Sequence, residues 1–323
     1  MTIPIPAEYT PEALSRVGKT PMARVSSVKE GTVFAKFEHY NPTGSHKDRP
    51  YLHMISAMER AGQVKEGDVL VDYTTGNGGA SLAFVARCKG YRAIAVMPRG
   101  ITPEREEQIR ALGAELILTP REDYVKAARQ KAQRIVDANP GTHHLVNQSD
   151  NPLNAEAFEE MGQEIADSLE REGQKLGALV CGIGTGGTMS GIAKALKARW
   201  PDIKTIGVEV VDSAPIFAKR NDLPFHHRDH RLVGFGAGAI AKNTNEDLID
   251  RVEIVSYEDS LKMALRIAIE DGQLVGPSSG ANLLIARKWA GFLNSQACVA
   301  TVFFDDGFKY SEIYKEAWAQ RGK

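Results

Sequence analysis

The stretch 69–97, VLVDYTTGNGGASLAFVARCKGYRAIAVM, decides the fold class. Val69-Leu70-Val71 is a short, unbroken apolar run of the kind that forms a strand buried on both faces. It leads into the glycine-rich turn Thr74-Thr75-Gly76-Asn77-Gly78-Gly79. The pattern over 80–89 then reads as a helix, and Gly90 supplies a residue that can take the left-handed cap conformation. A second apolar run follows at 93–97. Strand, turn, helix and strand in this order make a βαβ unit with parallel strands.

The same rhythm extends outward. A helix over 103–112 is stopped by Gly113, a strand follows at 116–118, and a helix runs from about 124 to 138. Beyond these come a helix at 155–170, a strand at 178–181, a glycine-rich loop, a helix at 188–198 and a strand at 205–210. The last elements are a strand at 252–255, helices at 259–271 and 281–292, and a strand at 299–304. This alternation predicts an α/β protein of two lobes, each an open, mostly parallel sheet flanked by helices. A seam near 147–152 puts residues 38–150 in an N-terminal lobe and residues 1–37 with 151–323 in a C-terminal lobe. The stretch 212–245, with Pro215, Pro224 and the GFGAG run at 234–238, reads as irregular.

Composition narrows the function classes. The chain has 323 residues, 42% hydrophobic and 25% charged, with a formal net charge of −1. It carries no basic block, so a nucleic-acid or membrane-surface role has no electrostatic support. Cys88, Cys181 and Cys298 lie far apart, as reduced thiols do in a cytoplasmic protein. The N-terminus lacks the basic start and apolar core of a secretory leader. No apolar run reaches the roughly 18 residues of a membrane span.

Ligand clefts in such folds lie at the carboxyl ends of strands, so three loops carry the chemistry. In Asn41-Pro42-Thr43-Gly44-Ser45-His46-Lys47-Asp48-Arg49-Pro50, Lys47 precedes a helix whose apolar residues Leu52, Ile55 and Met58 follow at helical spacing. The positive end of a helix dipole lowers the pKa of such an amine and suits it to act as nucleophile and base. Residues 74–79 place hydroxyls, an amide and backbone N–H groups at a helix start, a cradle for a carboxylate or phenolate oxygen. In Gly182-Ile183-Gly184-Thr185-Gly186-Gly187-Thr188, glycines let the backbone close on an anion, and a phosphate is the natural guest.

The third loop has a rival reading. Gly182, Gly184 and Gly187 fit G-x-G-x-x-G, and Glu209 follows at the end of the next strand, as in an NAD-dependent oxidoreductase. That reading leaves Lys47 and the 74–79 loop without a role. His226, His227 and His230 could be taken for metal ligands, but no cysteine completes a set and a solvated loop accounts for them. His143 and His144 border or enter a strand. Asp305-Asp306-Gly307 reads as a turn, and Cys181 as a small buried residue.

Eight blocks, in order, resemble the fold-type II pyridoxal-phosphate enzymes, a tryptophan synthase β-like fold, and within them the cysteine synthase and cystathionine β-synthase group. They are NPTGSHKDR, TTGNGGASLAFVARCKGY, LGAELILT, NQSDNPLNAEAF, GIGTGGTMSGIAKALK, GVEVVDS, GFGAG and GPSSGAN. The resemblance implies a Schiff base of pyridoxal 5'-phosphate on Lys47 and a hydrogen bond from Asn77 to the cofactor's 3'-oxygen. It further implies phosphate binding by Gly184, Thr185, Gly186, Gly187 and Thr188, with Ser278 facing the pyridine nitrogen. Thr74, Thr75, Gly76 and Gln148 would hold the substrate carboxylate.

A neutral serine hydroxyl does not protonate the ring, so the cofactor is a modest electron sink. That favours expulsion of a β leaving group over a long-lived carbanion. The implied reaction is β-replacement on an activated serine, of O-acetylserine or O-phosphoserine type, through an aminoacrylate, with sulfide adding to give cysteine. Another thiol or amine, giving a cystathionine or a diaminopropionate, or net elimination, are alternatives. A catalytically silent binding subunit is a further one, against which the intact Lys47 speaks. The partners implied are a small amino acid, a small nucleophile and a second copy of the chain in a homodimer.

The chain departs from the group's usual Thr-Ser-Gly-Asn-Thr-Gly at Thr75 and Gly78. The latter removes a hydroxyl expected at the substrate carboxylate and offers room for a larger donor. His46 stands where an apolar residue is common. The start of NPTGS-x-KDR also resembles the threonine synthases.

Overall fold

A computed structural model describes residues 10–320 apart from 27, 30, 123, 237 and 294–296. Residues 1–9, read above for a leader, and Ala237 of the GFGAG run lie outside the described residues.

The chain begins with β1 (Met22–Arg24), β2 (Thr32–Phe37), α1 (Asp48–Arg60), β3 (Val69–Tyr73), α2 (Asn77–Cys88) and β4 (Arg92–Pro98). It continues through α3 (Pro103–Ala111), β5 (Glu115–Thr119), α4 (Tyr124–Asp137), β6 (His143–Leu145), α5 (Leu153–Glu156) and α6 (Glu159–Arg171). Next come β7 (Leu176–Gly182), α7 (Gly187–Arg199), β8 (Lys204–Val210), α8 (Pro215–Arg220) and β9 (Arg251–Val255). The last elements are α9 (Tyr257–Glu270), α10 (Pro277–Phe292), β10 (Cys298–Phe303) and α11 (Ser311–Gln320).

Two compact units result. The first comprises the described residues of Met1–Gly18 and Asn41–Asn154, the second those of Lys19–Tyr40 and Ala155–Lys323. The segment ahead of Gly18, read above as part of the C-terminal lobe, clusters with the first unit. The reason is local: Ala13 is buried in that unit's core, with Leu14 and Val17 packed against it.

In the first unit a four-stranded sheet runs β5-β4-β3-β6, every pairing parallel. Alternation along its strands divides its two faces. Leu70, Ala95 and Met97 join a core with α1, α2 and α3, whereas Val69, Val71, Tyr73, Ile94 and Val96 pack with Ala128 and Ala132 of α4. Helices therefore cover both faces, as the unbroken apolar run of β3 requires. The loops after β3 and β6 leave the carboxyl ends of neighbouring strands.

The second unit has a six-stranded sheet, β1-β2-β10-β7-β8-β9, parallel except for β1 at its edge. Its core gathers β2, β7, β8 and β10 with α6, α7, α9 and α10. The loops after β7 and β10, neighbouring strands, again share one end of the sheet.

Some elements lay outside the sequence reading. β1, β2 and α11 were not anticipated, and α8 lies inside the stretch read as irregular. α2 and α10 begin at Asn77 and Pro277, earlier than their apolar periodicity starts. Their first turns hold glycine, serine and asparagine, which carry no apolar stripe to read. Among the described residues, no helix is long and apolar enough to cross a membrane.

Candidate active site

Lys47 caps the start of α1 in helical conformation (φ −69°, ψ −17°). The loop before it is held by Asp48, which is fully buried. Its Oδ2 accepts from the Thr43 N–H at 2.8 Å, and its Oδ1 from the Thr43 and Ser81 hydroxyls at 2.6 Å each. Gln108 Nε2 donates to the Thr43 carbonyl at 2.9 Å. Thr43 and Asp48 of the motif thus hold one another, and the turn they close, with Gly44 at φ +73°, fixes where Lys47 leaves the backbone. Burial of the amine of half-buried Lys47 lowers it to about 8, with the negative charge of Asp72 opposing the shift.

Thr74 shapes the loop after β3. Its Oγ1 accepts from the N–H groups of Gly76 at 3.0 Å and Gly79 at 3.2 Å, so its own hydroxyl hydrogen remains to donate. Gly76 stands at φ +131°, and a Cβ there would lie 2.2 Å from Arg105 Cδ, so only glycine fits. Thr75 and Asn77 are half-buried, and Asn77 opens α2. Gln148, after β6, donates its backbone N–H to Asp72 Oδ2 at 3.1 Å and its Nε2 to the Tyr73 carbonyl at 3.0 Å. The fold therefore brings Gln148 onto the 74–79 loop from the neighbouring strand.

Two residues of this neighbourhood escaped the sequence reading. Asp72 is fully buried, and desolvation raises its carboxyl to about 6 against hydrogen bonds from Tyr51 and from backbone N–H groups. Tyr51, also fully buried, donates to Asp72 at 2.8 Å. A charged residue directly after the apolar run, between Val71 and Tyr73, was the available signal for Asp72. Nothing in the helical pattern singles out Tyr51.

In the second unit, the loop after β7 is packed so closely that side chains are excluded. A Cβ on Gly184 would stand 2.0 Å from the Gly234 carbonyl oxygen, and one on Gly186 2.0 Å from Thr244 Oγ1. Gly186 caps α7 at φ +79° and has no side chain to bond the first-turn N–H groups, which are the helix end that suits an anion. Thr188 is buried in that turn, while Gly184 and Thr185 are half-exposed. Ser278 is the second residue of α10 and is buried. Its neighbour Ser279 accepts from the Phe304 N–H at 2.9 Å, tying the helix start to the end of β10.

Glu209 is occupied elsewhere. Its carboxylate accepts from the N–H groups of Ile216 at 3.2 Å and Phe217 at 2.8 Å, at the start of α8, and burial raises it to about 7. The acid that a dinucleotide site would use for a ribose is thereby committed to a helix cap. His227 pairs with Ser213 Oγ and His230 with the Gly236 carbonyl, each at 2.9 Å. Among the described residues no cluster could hold a metal ion. All three cysteines are free and buried, and burial raises each thiol, Cys298 to about 12.

The profile of a family described as pyridoxal-phosphate dependent enzymes matches residues 13–305. A cysteine synthase of Staphylococcus aureus (strain Mu50 / ATCC 700699) is 36% identical over 298 residues, 91% of this chain and 93% of that one. The crystal structure of a hydrogen sulfide-producing enzyme from Fusobacterium nucleatum superposes with a TM-score of 0.85 at 30% identity, covering 92% of this chain and 98% of that one. The structure of an O-ureido-L-serine synthase does so with a TM-score of 0.85 at 28% identity, covering 92% of each chain.

Proposed function

The chain belongs to the pyridoxal-phosphate-dependent enzymes, within them to the cysteine synthase group, and from that membership we propose β-replacement on an activated serine, with sulfide giving cysteine. The observation that carries the reading is a lysine amine lowered to about 8, at a helix start, in the unit that also presents the Thr74–Gln148 cradle. The residues fit the cofactor. Lys47 offers an amine that reacts with an aldehyde near neutral pH, and the 184–188 loop offers uncapped N–H groups with glycine where any Cβ would collide. When bound, pyridoxal phosphate supplies an aldehyde for covalent attachment and a conjugated ring that draws electrons from Cα.

In this reading Gly184, Thr185, Gly186, Gly187 and Thr188 bind the phosphate, Asn77 the 3'-oxygen, and Ser278 faces the ring nitrogen. Thr74, Thr75, Gly76 and Gln148 hold the donor's carboxylate. Lys47 Nζ would take the donor's Cα proton and later return it. Its lowered pKa keeps a useful fraction unprotonated for that task. Ser278, a neutral hydroxyl, would donate a hydrogen bond and no full proton to the ring nitrogen.

The similarity to an O-ureido-L-serine synthase favours including nucleophiles other than sulfide in any assay. The reading carries a homodimer in the cytoplasm, which sedimentation and fractionation test. The activity test is direct. Purified protein should be yellow, lose that absorbance after borohydride treatment, and stay colourless as Lys47→Ala without added cofactor. O-acetylserine or O-phosphoserine should then shift the spectrum, and sulfide should restore it with release of cysteine. A wild type that stays colourless with added pyridoxal phosphate would overturn the proposal.

A further inference from the structure

By sequence, Gly78 is a lost hydroxyl with spare room beside it. In the structure that room is filled. A Cβ on Gly78 would stand 2.7 Å from Gln148 Nε2, 2.9 Å from Tyr51 Oη and 3.0 Å from Thr74 Oγ1. Thr74 and Gln148 belong to the donor cradle proposed above, and the inference rests on that assignment. Tyr51 arrives from α1, one turn beyond Lys47, and its N–H donates to the Lys47 carbonyl at 3.3 Å.

The phenol's orientation follows from its partner. Asp72 Oδ2 accepts from Tyr51 Oη at 2.8 Å and from the Gln148 N–H at 3.1 Å, and Oδ1 from the Tyr73 N–H at 2.9 Å. An ionised carboxylate only accepts, so Tyr51 Oη donates its hydrogen bond to Asp72 and turns its lone pairs toward the space over Gly78. The same carboxylate oxygen ties Tyr51 to Gln148.

We propose that Tyr51 is a specificity-determining residue of the donor site: its phenol oxygen, beside Gln148 Nε2, crowds the side-chain position of residue 78 and, through Asp72, holds the Gln148 backbone. Tyr51 and Gly78 are then a complementary pair, and neither tolerates change alone. A threonine at 78 meets a rigid ring oxygen that is held by Asp72 and cannot retreat. An alanine at 51 leaves a void beside Gly78 and removes a donor from Asp72. Changed together, the two positions exchange one hydroxyl for another. The phenol oxygen presents an acceptor where threonine would present a donor, so the carboxylate depends on Thr74, Gln148 and the N–H groups at the start of α2.

The test is a mutant cycle on the holoenzyme. Wild type, Gly78→Thr, Tyr51→Ala and the double variant are titrated with O-acetylserine by cofactor absorbance, and each is unfolded thermally. Gly78→Thr alone should weaken donor binding by about tenfold or more and lower the melting temperature, as overpacking does. The double variant should lose less donor binding than the two single losses combined, a coupling between the two sites, with Gln148 Nε2, 2.7 Å from the added Cβ, still to be displaced. Tyr51→Phe, which keeps the ring and loses only the hydroxyl, should raise the donor KM by a larger factor than it lowers kcat. Additive effects in the double variant, or a Gly78→Thr variant that binds donor and melts as wild type does, would overturn the proposal. A wild type whose spectrum answers to no activated serine would sink the functional reading instead, and the melting arm would still decide the pair.

Discussion

The lowered amine of Lys47 makes a quantitative prediction about how the apoenzyme captures its cofactor. Burial moves the amine from an ordinary 10.5 to about 8. At pH 7 the unprotonated fraction then rises from about 0.03% to about 9%, roughly 300-fold, equivalent to about 3 kcal/mol. Only the free amine attacks an aldehyde, so capture should quicken through a midpoint near pH 8. Stopped-flow absorbance with apoenzyme and pyridoxal phosphate across pH 6–10 measures this, with Nα-acetyl-lysine as the reference for the cofactor's own ionisations. A midpoint near 10, matching the reference, would refute the argument from burial. Stability carries the same signature. The folded apoenzyme releases this proton before the unfolded chain does, so the unfolded chain binds more protons between about pH 8 and 10.5. The penalty of burying the charged amine is fully present below 8, and the apoenzyme gains stability from this residue as pH rises through that window.

Three further outcomes are expected. Gly184→Ala places a methyl group 2.0 Å from the Gly234 carbonyl oxygen, so the loop must open; cofactor content after gel filtration should fall severely while the far-ultraviolet spectrum persists. Asp48→Ala strands the Thr43 and Ser81 donors in the core and should cost about 3 kcal/mol or more, read as a lower denaturant midpoint. Glu209→Ala uncaps α8 and should cost about 1–3 kcal/mol with cofactor content unchanged; loss of a bound nicotinamide nucleotide would instead revive the dinucleotide reading.

Much of the architecture was written locally. The parallel strands appear as short apolar runs because both faces of each sheet are covered, and the helices stop at glycines such as Gly90 and Gly113, both at positive φ. The loops at strand ends announce themselves because glycines and hydroxyls cluster there within a few residues. β2 did not announce itself. Its partner β10 lies far along the chain, and Lys36 interrupts its apolar pattern. That lysine is tolerated in the core because Glu164, from a distant helix, pairs with it at 2.6 Å.

The sequence by itself determined the α/β class, the lysine at a helix start, and the loops at strand ends where glycines and hydroxyls gather. Each depends on residue types adjacent in the chain, so their physics is local. Tertiary structure decided what surrounds them. It spent Glu209 on a helix cap, carried Gln148 onto the loop after β3, and set the Tyr51 phenol over Gly78 with its hydroxyl hydrogen-bonded to Asp72. Those contacts join positions that only folding brings together, and hydrogen bonds of fixed direction in a closely packed core leave them no alternative.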